Sequence, residues 1–183
     1  MLLIFVLGTF GMNFQITTAL MATQTFHKGA GEYGLLGSIM AIGSLAAALR
    51  TAGRKEPRLW IMLVALGGFV GASAAAALAP TYLTFAVLLV PVGFTALTAM
   101  TVANTLVQTR VDPIMRGRVM ALYMAIFMGG TPIGAPIIGW IGEHAGPRWT
   151  ILVGSIGVGL VLAVVSRLLL KEENVRVSWD TER

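Results

Sequence analysis

The segment Leu59-Trp-Ile-Met-Leu-Val-Ala-Leu-Gly-Gly-Phe-Val-Gly-Ala-Ser-Ala-Ala-Ala-Ala-Leu-Ala79 carries no charged side chain along its whole length and stops at Pro80. About 20 mostly apolar residues are what a helix needs to cross roughly 30 Å of hydrocarbon at about 1.5 Å per residue. Five further runs of this kind flank it, at approximately Leu2–Phe26, Tyr33–Leu49, Tyr82–Thr109, Val119–Gly142 and Trp149–Leu170. None of the six holds an acidic residue in its middle. Lipid cannot satisfy an open sheet edge, and the alternating pattern of a membrane barrel is missing, so the runs must be helices. The sequence predicts an all-α integral membrane protein, a bundle of six transmembrane helices.

Composition agrees. Of 183 residues, 56% are hydrophobic and 11% charged, with 22 glycines, whereas a soluble domain carries about 25% charged residues. A soluble enzyme is excluded, and so are disorder and collagen. The chain has no Cys, which removes disulfides, thiolate metal sites and Cys nucleophiles. His27 and His144 are too isolated to hold a metal, and no Ser/His/Asp arrangement is present. Gly154-Ser-Ile-Gly-Val-Gly159 lies inside an apolar run with no strand before it, so it does not read as a nucleotide loop. No catalytic residue, metal or cofactor is therefore expected, and the chain does not read as an enzyme.

The net charge of +5 reads as membrane topology and not as a nucleic-acid surface. Arg50, Arg54, Lys55, Arg58, Arg110, Arg116, Arg118, Arg167, Lys171, Arg176 and Arg183 fall in one set of breaks and ends, while only Lys28 and Arg148 fall in the other. By the positive-inside rule both termini are expected in the cytoplasm. The first run has no Lys or Arg before it and is too long for a signal peptide, so it counts as a span. Short links at His27–Glu32, Ala79–Thr81 and Glu143–Arg148 make sequential helices antiparallel neighbours. Residues 1–170 are thus one six-helix unit and 171–183 a cytoplasmic tail. The chain opens directly on a span without a polar linker, which leads us to expect a truncated start.

Two runs carry polar stripes. Asn13, Thr17, Met21 and Gln24 recur every three or four residues, as do Thr98, Thr101, Thr105 and Gln108, with Asn104 alongside. Such spacing places each set on one helix face. An amide in hydrocarbon is costly unless paired, so both stripes should face protein or water. They can be the wall of a transport cavity, or they can serve interhelical hydrogen bonding and back-bonding to their own helix. The fifth run holds Gly130, Pro132, Gly134 and Pro136. Each proline deletes a helical hydrogen bond and each glycine admits a neighbouring backbone, which fits either a flexing gate or a close crossing.

The segment Gln108-Thr-Arg-Val-Asp-Pro-Ile-Met-Arg-Gly-Arg118, the span with Gly129-Gly-Thr-Pro-Ile-Gly-Ala-Pro136 and Gly139, and Tyr33-Gly-Leu-Leu-Gly-Ser38 together resemble a known family. The chain is similar to the C-terminal half of a major facilitator superfamily transporter, nearest to bacterial exporters of the siderophore-secretion and macrolide-efflux type. The resemblance implies that the six spans correspond to helices seven to twelve of a twelve-helix fold. It also implies that the spans with the polar stripes are cavity-lining helices seven and ten, and that Arg116, Gly117 and Arg118 belong to a cytoplasmic-loop motif. One departure stands in the loop after the second span, where the superfamily's signature has an acidic residue shortly before Gly-Arg. Arg50 and Thr51 occupy that region here, ahead of Gly53-Arg54, so the cytoplasmic latch that the resemblance implies for the acidic residue, paired with Arg and a helix N-terminus, is not expected in this half.

The expected function is one half of a secondary transporter in the inner membrane, exporting an amphipathic small molecule such as a drug or siderophore by alternating access along an ion gradient. Six helices supply one wall of such a pathway. The expected partners are the lipid bilayer, a small-molecule substrate, and an N-terminal six-helix half or a second copy, with no nucleic acid. A non-transporting scaffold or a nonfunctional remnant is the competing reading.

Overall fold

The computed structural model describes residues 5, 8–9, 13–53 and 58–181, with side-chain burial to residue 168. Among the described residues six helices follow one another: α1 (Phe14–Leu20), which runs on into a π-helical turn at Met21–Thr25, α2 (Ala30–Ala52), α3 (Leu59–Ala77), α4 (Tyr82–Arg110), α5 (Arg116–His144) and α6 (Pro147–Thr181). No strand occurs among the described residues. Five of the six, α2 to α6, are long and apolar enough to span a membrane. The earlier part of the predicted Leu2–Phe26 run lies mostly outside the described residues. The apolar part of α6 reaches Leu168, and the helix then continues through the charged segment to Thr181.

Local chemistry explains the helix ends. The Gly29 N–H donates to the Glu32 carboxylate at 3.1 Å, which satisfies one orphan donor at the start of α2 and places negative charge at the positive end of its dipole. Thr81 caps α4, its hydroxyl oxygen accepting the Thr84 N–H at 3.2 Å. Between α5 and α6 the chain reverses at Gly146, whose φ of +95° is a conformation that side chains with a Cβ rarely adopt. At the same end of the bundle, Tyr82 Oη donates to the Glu32 carbonyl at 2.8 Å and Arg148 Nη2 to the Ala79 carbonyl at 3.1 Å. Those two bonds tie three helix connections together.

Helices α3 and α4 form the centre. Leu66, Phe69, Val92, Ala99 and Val158 are buried between α3, α4 and α6, while Leu36, Ala76, Phe85 and Leu89 fill the junction of α2, α3 and α4. Glycine sets the closest approach: a Cβ on Gly43 would lie 2.8 Å from the Val90 carbonyl carbon, and one on Gly93 would lie 3.0 Å from Ser44 Oγ. The α2 and α4 backbones therefore touch, as small residues allow in lipid. The outer faces stay apolar. Leu45, Val64, Leu83 and Trp140 are all more than 60% exposed, which suits hydrocarbon surroundings and not water.

Candidate substrate cavity

Three helices leave a cavity of about 410 Å³ between them, within the 300–1,000 Å³ typical of small-molecule sites. Helix α1 contributes Gln15 and Thr18, α2 contributes Tyr33, Met40 and Ser44, and α4 contributes Met100. Gly34 and Gly37 floor it from α2. No side chain in its lining is charged.

Most of its polar groups are already committed. Thr18 Oγ1 donates to the Phe14 carbonyl. Ser44 Oγ donates to the Met40 and Gly93 carbonyls at 3.3 and 3.4 Å, and Tyr33 Oη to the Gln15 carbonyl at 3.4 Å. The Gln15 side-chain amide is exposed and none of the described hydrogen bonds uses it. It offers two donors and an acceptor to a guest. Chemically the cavity is an apolar, sulfur- and aromatic-lined slot with one free amide, suited to a flat or flexible organic group that can hydrogen-bond.

Of the polar stripes, the structure separates what the spacing grouped. Asn13 is 3% exposed. Its Nδ2 donates to the Thr9 carbonyl at 2.6 Å, and a Cβ on Gly134 of α5 would lie 2.8 Å from it. Thr17 is also buried, its hydroxyl donating to the Asn13 and Phe14 carbonyls. Gln24 is exposed, whereas Met21 is buried. The π-turn accounts for the difference: the Phe26 N–H donates to the Met21 carbonyl at 3.0 Å, an i→i+5 bond that widens the turn and takes Gln24 off the line of a regular α-helix.

On α4, Thr98 is buried and donates to the Phe94 carbonyl at 2.7 Å. It lines a different groove, of about 360 Å³, with Arg50, Trp60 and Phe94. Thr101 and Asn104 are half-buried and Gln108 exposed. Gln108 Nε2 donates to Asn104 Oδ1 at 2.9 Å, so the two amides pair along one helix. Neither Asn13 nor Asn104 lines the large cavity or that groove.

On α5, Gly130 and Gly134 are buried against the first span. A Cβ on Gly130 would come within 2.6 Å of Thr9 Oγ1. Pro132 and Pro136 face outward on a helix that continues from Arg116 to His144. Arg116, Gly117 and Arg118 open that helix and are exposed. The loop before them is folded by Asp112, whose Oδ1 accepts the Ile114 N–H at 2.9 Å.

Of the cavity residues, Gln15, Thr18 and Ser44 were not singled out as site residues by sequence reasoning, and Tyr33 stood out only as the start of the family-like stretch Tyr33–Ser38. Gly34, Gly37, Met40 and Ser44 do recur at intervals of three, three and four, one face of small and flexible residues. That stripe was the readable signal.

Among curated proteins the chain is similar to Enterobactin exporter EntS of Citrobacter koseri, 27% identical over 150 residues, which cover 80% of this chain and 36% of that protein. It is also similar to the proteins of the same name from Shigella dysenteriae serotype 1 (27% identical) and Shigella boydii serotype 18 (28% identical), in each case over 152 residues that cover 81% of this chain and 36% of the relative. The chain thus spans about a third of the length of the curated relatives it matches. No solved structure matches it. A family model, the Major Facilitator Superfamily, matches residues 1–183, and with its all-helical, membrane-spanning architecture the chain belongs to that superfamily of transporters.

Proposed function

We propose that the chain is the C-terminal six-helix half of a secondary active exporter, with both termini in the cytoplasm, moving an amphipathic, siderophore-like small molecule by alternating access. The observation that carries this reading is the uncharged cavity between α1, α2 and α4, lined by Tyr33, Met40 and Met100 with the free Gln15 amide. An aromatic or acyl portion of a substrate fits that lining, and its hydrogen-bonding groups meet Gln15 and the lone pairs of the back-bonded hydroxyls. Similarity to exporters of enterobactin supports an enterobactin-like, amphipathic cargo.

One half supplies one wall. In transporters built from repeats, the substrate sits near the midplane between two halves that rock against each other. Pairing with an N-terminal six-helix half, or with a second copy, closes the cavity from the other side. The test is reconstitution in liposomes with an imposed proton gradient, reading efflux of fluorescent amphipathic dyes and of enterobactin. The 183-residue chain is expected to be inactive alone and active when co-inserted with the N-terminal half of an enterobactin exporter. Robust efflux by a demonstrated monomer overturns the half-transporter reading; activity only as a dimer keeps the pathway and replaces the missing half with a second copy.

A further inference from the structure

Ser73, on α3, is 2% exposed, and its Oγ is the buried side-chain oxygen that finds no hydrogen-bond partner among the described residues. It lines a small cavity at the junction of α1, α3 and α6, together with the hydroxyl residues Thr17, Thr150 and Ser155. All four are at most 4% exposed. The cavity offers about 10 Å³ to the centre of a water-sized sphere, the least that holds one water molecule.

The other three hydroxyls have spent their protons. Thr17 Oγ1 donates to the Asn13 and Phe14 carbonyls at 3.3 and 3.2 Å, Thr150 Oγ1 to Pro147 at 2.6 Å and Ser155 Oγ to Ile151 at 2.9 Å. Back-bonding of this kind is the usual resort of Ser and Thr in a helix. It leaves each oxygen only lone pairs to turn toward a neighbour. Three acceptors cannot satisfy one another, and Ser73 reaches none of them directly. What completes the site is a guest that donates two protons and accepts one.

We propose that this cavity binds a single buried water molecule, which accepts from the Ser73 hydroxyl and donates to lone pairs among Thr17, Thr150 and Ser155. A monovalent cation meets the same oxygens, but no carboxylate lines the cavity, and an uncompensated charge is far more costly to bury than a neutral dipole. The water pins α1 to α3 and α6 beside the edge-to-face contact of Phe14 and Phe69, whose ring centroids are 5.8 Å apart. Since Gln15 and Thr18 lie within two residues of Thr17 on α1, it also steadies the wall of the large cavity.

The sign of one substitution distinguishes a wet site from a dry one. In a dry cavity Ser73→Ala removes a desolvated, unpartnered hydroxyl and raises the melting temperature. In a wet one it strips the water of a partner and lowers it, by roughly 2–4 °C for a chain of this size. The experiment is thermal unfolding of the 183-residue chain and its S73A variant in detergent, with and without sodium. Solid-state NMR of the unsubstituted protein in lipid supplies the second measurement, as a contact between bound water and the Ser73 or Thr150 hydroxyl. A fall in melting temperature with a water contact and no sodium dependence is expected. A rise, the lack of a water contact, or stabilisation by sodium that S73A abolishes each overturns the proposal.

Discussion

Two glycines six residues apart on α2 should respond in opposite ways to added bulk. At Gly43 an added Cβ would lie 2.8 Å from the Val90 carbonyl carbon and 3.0 Å from the Phe94 nitrogen, with the Val90 oxygen closer still. These are backbone atoms of α4 and cannot rotate away. Ordinary contact begins at 3.4 Å, so the helices must part by at least 0.6 Å at this crossing. Forced repacking of this kind costs about 1–3 kcal/mol, partly offset by the roughly 1 kcal/mol that alanine gains over glycine in a helix interior. Gly43→Ala is therefore expected to lower the melting temperature by a few degrees, at about 2–4 °C per kcal/mol, and Gly43→Leu by considerably more. At Gly37 nothing lies within 4 Å of the added Cβ, and the position faces the 410 Å³ cavity. Gly37→Leu should leave the melting temperature unchanged or raise it by up to about 4 °C and yet occupy the slot, so that efflux falls at least tenfold in the assembled transporter. Thermal unfolding in detergent and dye efflux from liposomes read the two effects separately. A Gly43→Leu protein as stable as the parent would refute the close crossing, and a Gly37→Leu protein that exports normally would refute the cavity as a substrate site.

Removing the free amide with Gln15→Ala should raise KM about 2- to 12-fold with little change in stability, the worth of one hydrogen bond of roughly 0.5–1.5 kcal/mol; an unchanged KM would place the substrate elsewhere. Asn13→Asp should be strongly destabilising, by about 2.5–3.5 kcal/mol if the site lies near the membrane centre, because the buried amide faces a carbonyl and Gly134; normal expression and melting of that variant would mean Asn13 is solvated. Cysteine scanning is clean in a chain without Cys: Gln15→Cys should react with water-soluble thiol reagents in the assembled protein while Asn13→Cys stays protected, and the reverse pattern would exchange the two faces of α1. Reporter fusions after Leu170 and within residues 28–31 should report opposite sides of the membrane, and the same side for both would sink the charge-based topology.

The sequence by itself determined the fold class and the five spans from α2 to α6. Length and apolarity suffice for this, because a bilayer core forbids unpaired backbone and leaves helices as the solution for runs such as Leu59–Ala79. It offered Gly130 and Gly134 as either a flexing gate or a close crossing, and the structure sets both against Thr9 of the first span. The spacing of Asn13, Thr17 and Gln24 gave a helix face but not its surroundings. Periodicity says which residues share a side, not whether that side meets a neighbouring helix, a cavity or lipid, and one π-turn at Met21–Thr25 was enough to put Gln24 out of line. Tertiary structure decided the rest. It turned Asn13 onto α5 and paired Gln108 with Asn104 along a single helix. The open cavity went to Gln15, Tyr33 and Ser44, and Ser73 was set in a pocket of acceptors. These outcomes depend on which helices cross at which glycines, a long-range choice set by packing between segments more than 100 residues apart in the chain, such as Asn13 and Gly134, and no local pattern encodes it.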